Sequence, residues 1–283
     1  MKIEVICPLY NGEKYILPLY DAVSSQKIED KVTIKFILTN TNDDSEKVLK
    51  QNKINYKKIE KSEFSHSLTR EEAAKESKAD IIVFISQDVE ITQDNWLKNL
   101  VADIKSKKAA AAFSRQITKY NNIEKYTREK NYPNHSRIVD KNDLSKLGLN
   151  TFFFSDASSA IDRAVFKKLK YYDGKNLPIN EDMYIAYKLI MNGYKIKYSS
   201  NSIVYHSHKF TLKQLYERYK LTGQFFSQNK YLDQYGTTSA GGGLAKYVLK
   251  NAIKEKNIKV LLRFIPDMAA RYIGMKVGKH VKK

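Results

Sequence analysis

The sequence contains one cysteine and no long apolar run, and each shortage excludes a class of protein. Cys7 is the only cysteine in 283 residues, so no disulfide can form within the chain, and a reducing compartment is expected. No stretch approaches the roughly 20 apolar residues that a membrane-spanning helix requires. The N-terminus leads into an apolar run that contains Glu4, which argues against a secretory leader. We therefore expect a cytoplasmic protein that is soluble or lies on a membrane surface.

Two common nucleotide-binding motifs are also missing. No G-x-G-x-x-G follows the first apolar run, and no G-x-x-x-x-G-K-[ST] occurs anywhere in the chain. A Rossmann dinucleotide site and a P-loop are therefore not indicated. Any nucleotide must be held in another way.

Acidic residues are scarce in the C-terminal quarter. The chain has 50 Lys and Arg against 31 Asp and Glu, and residues 209–283 hold 16 of the former but 4 of the latter. Such an excess suits nucleic acid, anionic lipid or a phosphorylated substrate, and charge alone does not separate these partners. The basic residues lack an interleaved aromatic motif of a known nucleic-acid-binding type. A nucleic-acid partner is therefore not expected.

The first hundred residues alternate short apolar strands with helices. The expected elements are strands at 2–7, 32–38 and 56–59, and helices at 14–26, after Asp44 or Ser45, and after a cap at Ser67 or Thr69. Ile81 to Ile85 form an unbroken run that is typical of a central strand buried on both faces. Alternating strands and helices indicate a parallel sheet. The predicted fold class is α/β, with a doubly wound, mostly parallel sheet of the nucleotide-binding type.

Beyond the central strand the pattern is less regular. The expected elements are helices at 94–106 and 162–169, a strand at 109–113, and a long loop with short helices at 120–145. Asn180 is expected to cap a helix that carries Glu181 and Asp182 in its first turn. Two strands follow and end near His206 and His208.

Asp88 directly follows the central strand. In open α/β sheets, ligands bind in the crevice outside the carboxyl ends of the strands. A carboxylate there can hold a divalent cation and, through it, a diphosphate. A second interpretation remains open, in which Asp88 only caps the turn before the next helix.

Five motifs occur in an order that resembles one enzyme family. They are P-L-Y-N-G, F-S-H-S-L-T-R, S-Q-D, N-E-D and V-Y-H-S-H, each at an expected strand end or helix start. Together they resemble the family-2 GT-A glycosyltransferases, and most closely the bacterial rhamnosyltransferases, over essentially the whole chain. The resemblance implies a GT-A catalytic domain at residues 1–208 and a basic helical region at 209–283. It also implies inverting transfer of L-rhamnose from dTDP-β-L-rhamnose to a hydroxyl of a lipid-linked glycan.

The same resemblance implies a metal site and a catalytic base. Asp88 matches the last Asp of the family's D-x-D motif, and His206 matches a histidine that completes the metal site in some relatives, with Mg²⁺ or Mn²⁺ as cofactor. Ser86 replaces the first Asp and leaves fewer charged ligands. Asp182 takes the role of the base that removes the acceptor proton, with Glu181 beside it. The alternative is that both acids only favour the helix dipole, worth about 0.3–1 kcal/mol each.

Further residues are assigned to the substrates by the same resemblance. Those expected around the donor are Pro8, Tyr10, Asn11, Thr39, His66, Arg70, Gln87, Asp88 and His208. Thr39 replaces the Asp that usually holds the base or ribose. Arg70 has an alternative role in a surface ion pair with Glu71 or Glu76. Asp156 is expected to meet the acceptor, and its alternative is to cap the following helix.

Three other functions remain as alternatives. A basic nucleic-acid-binding protein would explain the net charge of +19. A UDP-hexose donor would keep the same site and mechanism, because sugar choice depends on the shape of the pocket. A non-catalytic glycan-binding protein is suggested by Ser86.

The C-terminal region repeats apolar residues at helical spacing between lysines and arginines. This pattern favours basic amphipathic helices on an anionic membrane, here the inner face of the cell membrane. The alternative is that the apolar stripe packs on the catalytic domain or forms a homo-oligomer contact. The glycine-rich residues 236–243 favour a flexible break within this region.

Overall fold

The computed structural model describes residues 1–281, with residues 237–241 described by their backbone alone. Within that part of the chain, one sheet contains nine strands: β1 (Lys2–Leu9), β2 (Lys31–Thr39), β3 (Tyr56–Ile59), β4 (Ile81–Ile85), β5 (Val89–Glu90), β6 (Ala111–Ile117), β7 (Arg137–Val139), β8 (Ser158–Asp162) and β9 (Ile196–His206). The helices are α1 (Glu13–Ser24), α2 (Ser45–Gln51), α3 (His66–Glu76), α4 (Trp96–Lys105), α5 (Ile123–Asn131), α6 (Leu144–Leu147), α7 (Arg163–Lys168), α8 (Glu181–Met191), α9 (Leu212–Gln228), α10 (Thr237–Lys254) and α11 (Ile258–His280).

The strand order across the sheet is β3-β2-β1-β4-β8-β6-β9-β5, and β7 pairs with β9. Strands β3, β2, β1 and β4 are parallel neighbours, as their alternation with helices requires. β8 is antiparallel to both β4 and β6, whereas β9 is parallel to β6. The predicted doubly wound α/β sheet is confirmed, and its parallel part is concentrated in the first four strands.

β4 lies at the centre and supplies both hydrophobic cores. Ile81, Val83 and Ile85 pack with α1 and α4 on one face, while Ile82 and Phe84 pack with α3, α7 and α8 on the other. All five side chains are at most 2% exposed. An unbroken apolar strand is therefore required here, because neither of its faces meets water.

The start of α3 differs from the prediction. Ser65 caps this helix and accepts a hydrogen bond from a backbone N–H one turn later, so the expected caps Ser67 and Thr69 lie inside the helix. Ser67 Oγ instead donates to the carbonyl oxygen of Lys175 at 2.6 Å and accepts from the N–H of Leu177 at 2.8 Å. These bonds tie α3 to the loop before α8, a tertiary contact that local capping rules do not contain.

β9 is one strand of eleven residues where two were predicted. Residues 199–202 look like a turn because they are polar. Ser199 pairs with Ser114 of β6 and Ile203 pairs with Arg115, so residues 200–202 form a bulge within one strand. Ser202 is buried there, donates to the carbonyl oxygen of Trp96 at 3.1 Å and shares a hydrogen bond with Ser114 at 2.8 Å. Polar residues remain in the strand because their hydroxyls find buried partners.

The helices beyond residue 208 pack on each other and on the preceding part of the chain. α9 and α11 approach so closely that a Cβ on Gly223, Gly274 or Gly278 would collide with the backbone of the facing helix. Val248 and Ala252 of α10 are fully buried in a small core with residues of α5 and α11. The break predicted at residues 236–243 is wrong for the backbone, because α10 begins at Thr237.

None of the described helices is both long and apolar enough to cross a bilayer.

Candidate active site

A cavity of about 680 Å³ lies at the carboxyl ends of β4 and β9, between α3, α5, α8 and α9. Eight residues singled out in the sequence line it: His66, Arg70, Ser86, Asp88, Glu181, Asp182, His206 and His208. Residues of α9, among them Arg218, complete the wall. The boundary expected at residue 208 therefore passes through the site and does not separate it from the C-terminal region.

Asp88, His206 and His208 form a cluster in this cavity. Asp88 Oδ1 lies 3.4 Å from His206 Nε2, and Asp88 Oδ2 lies 3.7 Å from His208 Nδ1. One ligand atom from each residue can be chosen so that all three lie within 4.8 Å of one another. A small divalent cation lies about 2.0–2.1 Å from each ligand, so donor atoms around it are at most about 4.2 Å apart. A small side-chain movement therefore brings all three into one coordination shell. The alternative role of Asp88 as a simple turn cap does not explain this convergence.

The orientation of His206 is determined by Gln116 and Arg128. Arg128, which can only donate, bonds to Gln116 Oε1, and Gln116 Nε2 donates to Ser155 Oγ at 2.8 Å. His206 Nδ1 lies 2.8 Å from the same Oε1 and 3.4 Å from Arg128 Nη2, and the shorter contact is a hydrogen bond when Nδ1 carries the hydrogen and donates it to Oε1. The lone pair of His206 is then on Nε2, which faces Asp88. A lone pair facing a carboxylate is unfavourable unless a cation lies between them.

The protonation states in the cluster also suit a metal. Burial raises the pKa of Asp88, but the neighbouring His206 and His208 outweigh that effect and leave the pKa below its ordinary value. Burial lowers the pKa of His206, and burial followed by the charge of His206 lowers the pKa of His208 to about 4. At neutral pH the cluster thus presents an ionised carboxylate and two neutral imidazoles, which are the forms that bind cations. The residues fit a divalent cation.

Glu181 and Asp182, called the acid pair below, lie at the start of α8. Asn180 occupies the N-cap position as predicted, but its φ is +58° and its side chain makes no capping bond. Arg70, 4% exposed, donates to Glu181 Oε1 at 3.1 Å, so the alternative of a surface pair with Glu71 or Glu76 is wrong.

Asp182 has no ion-pair partner within residues 1–281. Its pKa is raised well above the ordinary value, first by burial and then by the negative charge of Glu181 and Asp156. The guanidinium of Arg70 interacts electrostatically with three carboxyl groups, those of Glu181, Asp156 and Asp182. Asp182 is therefore the carboxylate with the strongest tendency to take up a proton.

Asp156 lies deeper than predicted. It is 2% exposed, does not line the cavity, and accepts hydrogen bonds from Ser159 Oγ at 2.7 Å and Tyr172 OH at 2.8 Å. The structure thus does not place Asp156 where an acceptor would touch it, and the capping alternative is also wrong because Asp162 caps α7. The negative charge of Asp156 instead helps to raise the pKa of Asp182.

Five of the residues expected around the donor lie together at the ends of β1, β2 and β4: Pro8, Tyr10, Asn11, Thr39 and Gln87. None of these five lines the cavity as the described residues outline it. Gln87 bridges two loops, since its Nε2 donates to the Tyr10 carbonyl at 3.0 Å and its Oε1 accepts from the Tyr10 N–H at 2.8 Å. The ring of Tyr10 is 39% exposed, and Thr39 is buried. Nucleotide contacts by Pro8, Tyr10, Asn11, Thr39 and Gln87 stay a prediction.

Sequence reasoning missed Gln116, Arg128 and Arg218. β6 extends to Ile117, four residues past its expected end, and so carries Gln116 to the edge of the cavity. Arg128 lies on α5, in a stretch expected to be mostly loop, and Arg218 lies on α9 beyond the expected domain boundary. No local signal distinguishes these residues from the many other basic and polar side chains.

Gln116→Leu should weaken Mn²⁺ binding by about 10–100-fold, the usual effect of removing a group that orients a metal-binding histidine. Without Oε1, no acceptor holds the ring of His206 in this orientation or favours the tautomer with its hydrogen on Nδ1. Gln116→Glu keeps the acceptor and should retain binding, and the exposed Gln234→Leu serves as control. Mn²⁺ titration followed by electron paramagnetic resonance measures the affinity. Equal affinity in Gln116→Leu and Gln234→Leu would contradict the role of Gln116.

The chain is similar to known proteins in three comparisons. The model of the family described as Glycosyl transferase family 2 matches residues 4–170, a span that runs from β1 through α7. The matched span includes Asp88 and Gln116, but it does not include Glu181, Asp182, His206 or His208.

Two curated proteins from Salmonella resemble the chain. The O-antigen chain rhamnosyltransferase RfbN of Salmonella typhimurium is 31% identical over 291 residues, which cover 99% of this chain and 90% of that protein. The O-antigen chain rhamnosyltransferase WbaN of Salmonella anatum is 32% identical over 231 residues, which cover 78% of this chain and 71% of that protein.

Solved structures share the fold. The mannosyltransferase PcManGT from Pyrobaculum calidifontis, in complex with GDP-Man and Mn²⁺, matches with a TM-score of 0.65 at 14% identity and covers 98% of this chain and 86% of its own. S. aureus TarS 1–349, in complex with UDP-GlcNAc, matches with a TM-score of 0.58 at 16% identity and covers 98% of this chain and 91% of its own. At such identities the likeness concerns the fold, and it agrees with the GT-A architecture.

Proposed function

This chain belongs to glycosyl transferase family 2, and we propose that it transfers L-rhamnose with inversion from dTDP-β-L-rhamnose to a hydroxyl group of a lipid-linked glycan. Family membership makes the chain a glycosyltransferase. Rhamnose is supported by the two relatives named O-antigen chain rhamnosyltransferases, one of which matches nearly the full chain. The nucleotide and the acceptor are the proposed part.

The observation that carries the proposal is that two different sets of groups share one cavity. Asp88, His206 and His208 form a cluster that fits a divalent cation, and Asp182 is a carboxylate with a raised pKa. Inverting displacement needs charge stabilisation at the departing diphosphate and a base on the opposite face of the sugar. One cavity of about 680 Å³ provides both.

The acceptor hydroxyl oxygen attacks the anomeric carbon as its proton passes to the Asp182 carboxylate. The bond from the anomeric carbon to the diphosphate breaks at the same time, and its electron pair leaves with the nucleoside diphosphate. Arg70 holds Glu181 in place beside the base through the 3.1 Å ion pair. Arg218, exposed on α9 and with no carboxylate partner within residues 1–281, adds positive charge to the cavity.

Asp88, His206 and His208 would hold Mg²⁺ or Mn²⁺, which when bound offsets the negative charge on the departing diphosphate. Two imidazoles beside a single carboxylate suit Mn²⁺ better than Mg²⁺, which prefers oxygen ligands. Ser86 offers a neutral hydroxyl where an ionised ligand would bind more tightly.

The test is incubation of the purified protein with dTDP-L-rhamnose, UDP-glucose and UDP-galactose, each with Mn²⁺ or Mg²⁺. Release of nucleoside diphosphate is measured, with Asp182→Asn as background. Faster release from a UDP-hexose would replace the proposed donor. Release from none of them would favour a non-catalytic glycan-binding protein.

The outward face of α11 and the end of α10 support docking on an anionic membrane. Ile258, Leu262 and Ile265 are 68%, 77% and 75% exposed. The same surface also exposes Leu249, Ile253, Tyr272, Ile273, Val277 and Val281. The exposed lysines on these two helices and their connection are Lys246, Lys250, Lys254, Lys256, Lys259 and Lys276.

Negative charge on this surface is neutralised within the protein. Glu255 pairs with Lys125 at 2.5 Å, and Asp267 is buried and pairs with Arg271 at 2.5 Å. An apolar face bordered by unopposed lysines fits anionic lipid. The opposite face of α11 packs on α9, so the packing interpretation holds for that side of the helix, and the membrane interpretation is proposed for the outward side.

Leu262→Glu combined with Ile265→Glu should lower binding to vesicles of anionic lipid by about tenfold or more, because each large apolar side chain contributes about 1.5–3 kcal/mol when buried. Lys108→Glu changes the net charge by the same amount at a distant exposed position and serves as control. Co-sedimentation with the vesicles measures binding. Deletion of α11 is a poorer test, because Arg271 of this helix lines the cavity. Unchanged sedimentation together with loss of a dimer would make this face an oligomer contact.

A further inference from the structure

A second cavity, of about 390 Å³, adjoins the candidate active site. Gln116, Arg128 and Tyr132 line both cavities and form the wall that they share. The second cavity is built from the end of β6, residues 118–121 and α5. Its charged lining residues are Arg115, Lys119, Lys125, Arg128 and Glu129.

Two of the four cations have no carboxylate partner among the residues that the structure describes. Lys119 pairs with Glu90 at 2.5 Å, and Lys125 pairs with Glu255 at 2.5 Å and lies 3.9 Å from Glu129. Within residues 1–281, Arg115 and Arg128 form no ion pair, and the Nε of each is buried without a hydrogen-bond acceptor. A buried guanidinium donor without a partner is costly. The two guanidinium groups therefore suit an anionic ligand in this cavity.

The second cavity also lies beside the start of the outward apolar face of α11. Asn121, which lines the cavity, accepts a hydrogen bond from Asn257 Nδ2 at 2.8 Å. Asn257 caps α11, and the next residue, Ile258, is 68% exposed. The outward apolar face of α11 therefore begins beside the second cavity.

We propose that the second cavity binds the phosphate or diphosphate ester that joins the lipid to the glycan of the acceptor. This inference rests on the proposed function and adds the place where the acceptor's phosphate or diphosphate ester binds. The lipid lies along α10 and α11, the anionic ester meets the Arg115 guanidinium, and the glycan continues over the shared wall toward Asp182. Arginine suits this ligand because its planar fork donates two parallel hydrogen bonds to phosphate oxygens.

The first experiment titrates inorganic pyrophosphate into the full chain by calorimetry, with dTDP and Mn²⁺ present to fill the donor site. Arg115→Gln should raise the Kd by about 10–100-fold, as expected for hydrogen bonds to a charged group. Arg115→Lys should recover part of the loss, and Lys108→Gln, at the other end of β6, should have no effect. Lys119→Gln is a second variant on the exposed rim, to be used if Arg115→Gln does not fold. An unchanged Kd in the folded variants, or no saturable binding in the wild type, would overturn the site.

The second experiment separates a lipid ester from free phosphate. Phosphatidylcholine vesicles with and without farnesyl diphosphate are compared for recruitment of the wild type and of Arg115→Gln. Recruitment by the lipid diphosphate that Arg115→Gln loses supports the acceptor site. Binding of pyrophosphate without any such recruitment would assign the cavity to a free anion and refute the acceptor role. Nucleoside diphosphate release from the donor panel tests the proposed function independently of both results.

Discussion

Asp182→Asn should reduce sugar transfer by about 10²–10⁴-fold while donor affinity stays nearly unchanged, because a positioned base contributes that much to the rate. The amide keeps the shape of the carboxylate but cannot take the acceptor proton. Transfer is measured as kcat with saturating donor, and donor affinity by calorimetry. Asp21→Asn, at an exposed position on α1, is the matched control.

The pH dependence of the wild type gives a second readout of the same group. Burial raises the pKa of Asp182 well above its ordinary value, and the charges of Glu181 and Asp156 raise it further. The base is protonated below that pKa, so kcat/KM should fall as the pH decreases through it and should level off above it. Asp182→Asn should lose this acid limb.

Glu181→Gln tests whether the two acids have different roles. It breaks a buried ion pair with Arg70, so a loss of stability of about 3–5 kcal/mol is expected in addition to any effect on the rate. If Glu181→Gln folds but is inactive while Asp182→Asn is active, the roles are exchanged. If both variants keep full transfer, the pair is only a favourable helix start and the proposed mechanism is wrong.

Asp88→Asn should lower turnover by about 10²–10³-fold and strongly reduce Mn²⁺ affinity. Asp88 is the one ionised member of the cluster, since the pKa values of His206 and His208 are lowered by burial. Mn²⁺ affinity is followed by electron paramagnetic resonance and turnover by nucleoside diphosphate release. EDTA should inhibit the wild type in the same assay.

Two outcomes would change the interpretation of Asp88. Full activity of Asp88→Asn at saturating Mn²⁺ would remove this residue from the metal site. Activity of the wild type that EDTA does not affect would mean that the protein's own cations stabilise the diphosphate. Arg218 is then the first candidate, because Arg70 is already engaged by Glu181.

The central strand and its neighbours could be predicted because their pattern has a single physical cause. β3 spans Tyr56–Ile59 and β4 spans Ile81–Ile85, as expected. A strand covered on both faces must be apolar throughout, and a run of five residues is too short for a helix. The convergence of Asp88 with His206 follows from β5 and β9 pairing at the same edge, where Val89 lies opposite His206.

The partner of Arg70 could not be predicted. Glu71 and Glu76 are close in sequence, yet a guanidinium that is 4% exposed requires a carboxylate that is buried with it. Glu181 is 111 positions away and meets that condition. Glu76 faces solvent and pairs with Lys35 at 2.7 Å, and Glu71 accepts hydrogen bonds from the backbone N–H groups of Tyr172 and Gly174.

The sequence by itself determined the alternation of strands and helices, the positions of Asp88 and Asp182 at a strand end and a helix start, and the basic, amphipathic character of the tail. Each of these depends on periodicity or on neighbours in the chain. Only the tertiary structure decided that Gln116 orients His206 and that α9 lines the cavity. These depend on which distant elements share a wall, and long-range packing leaves no periodic signal in one sequence.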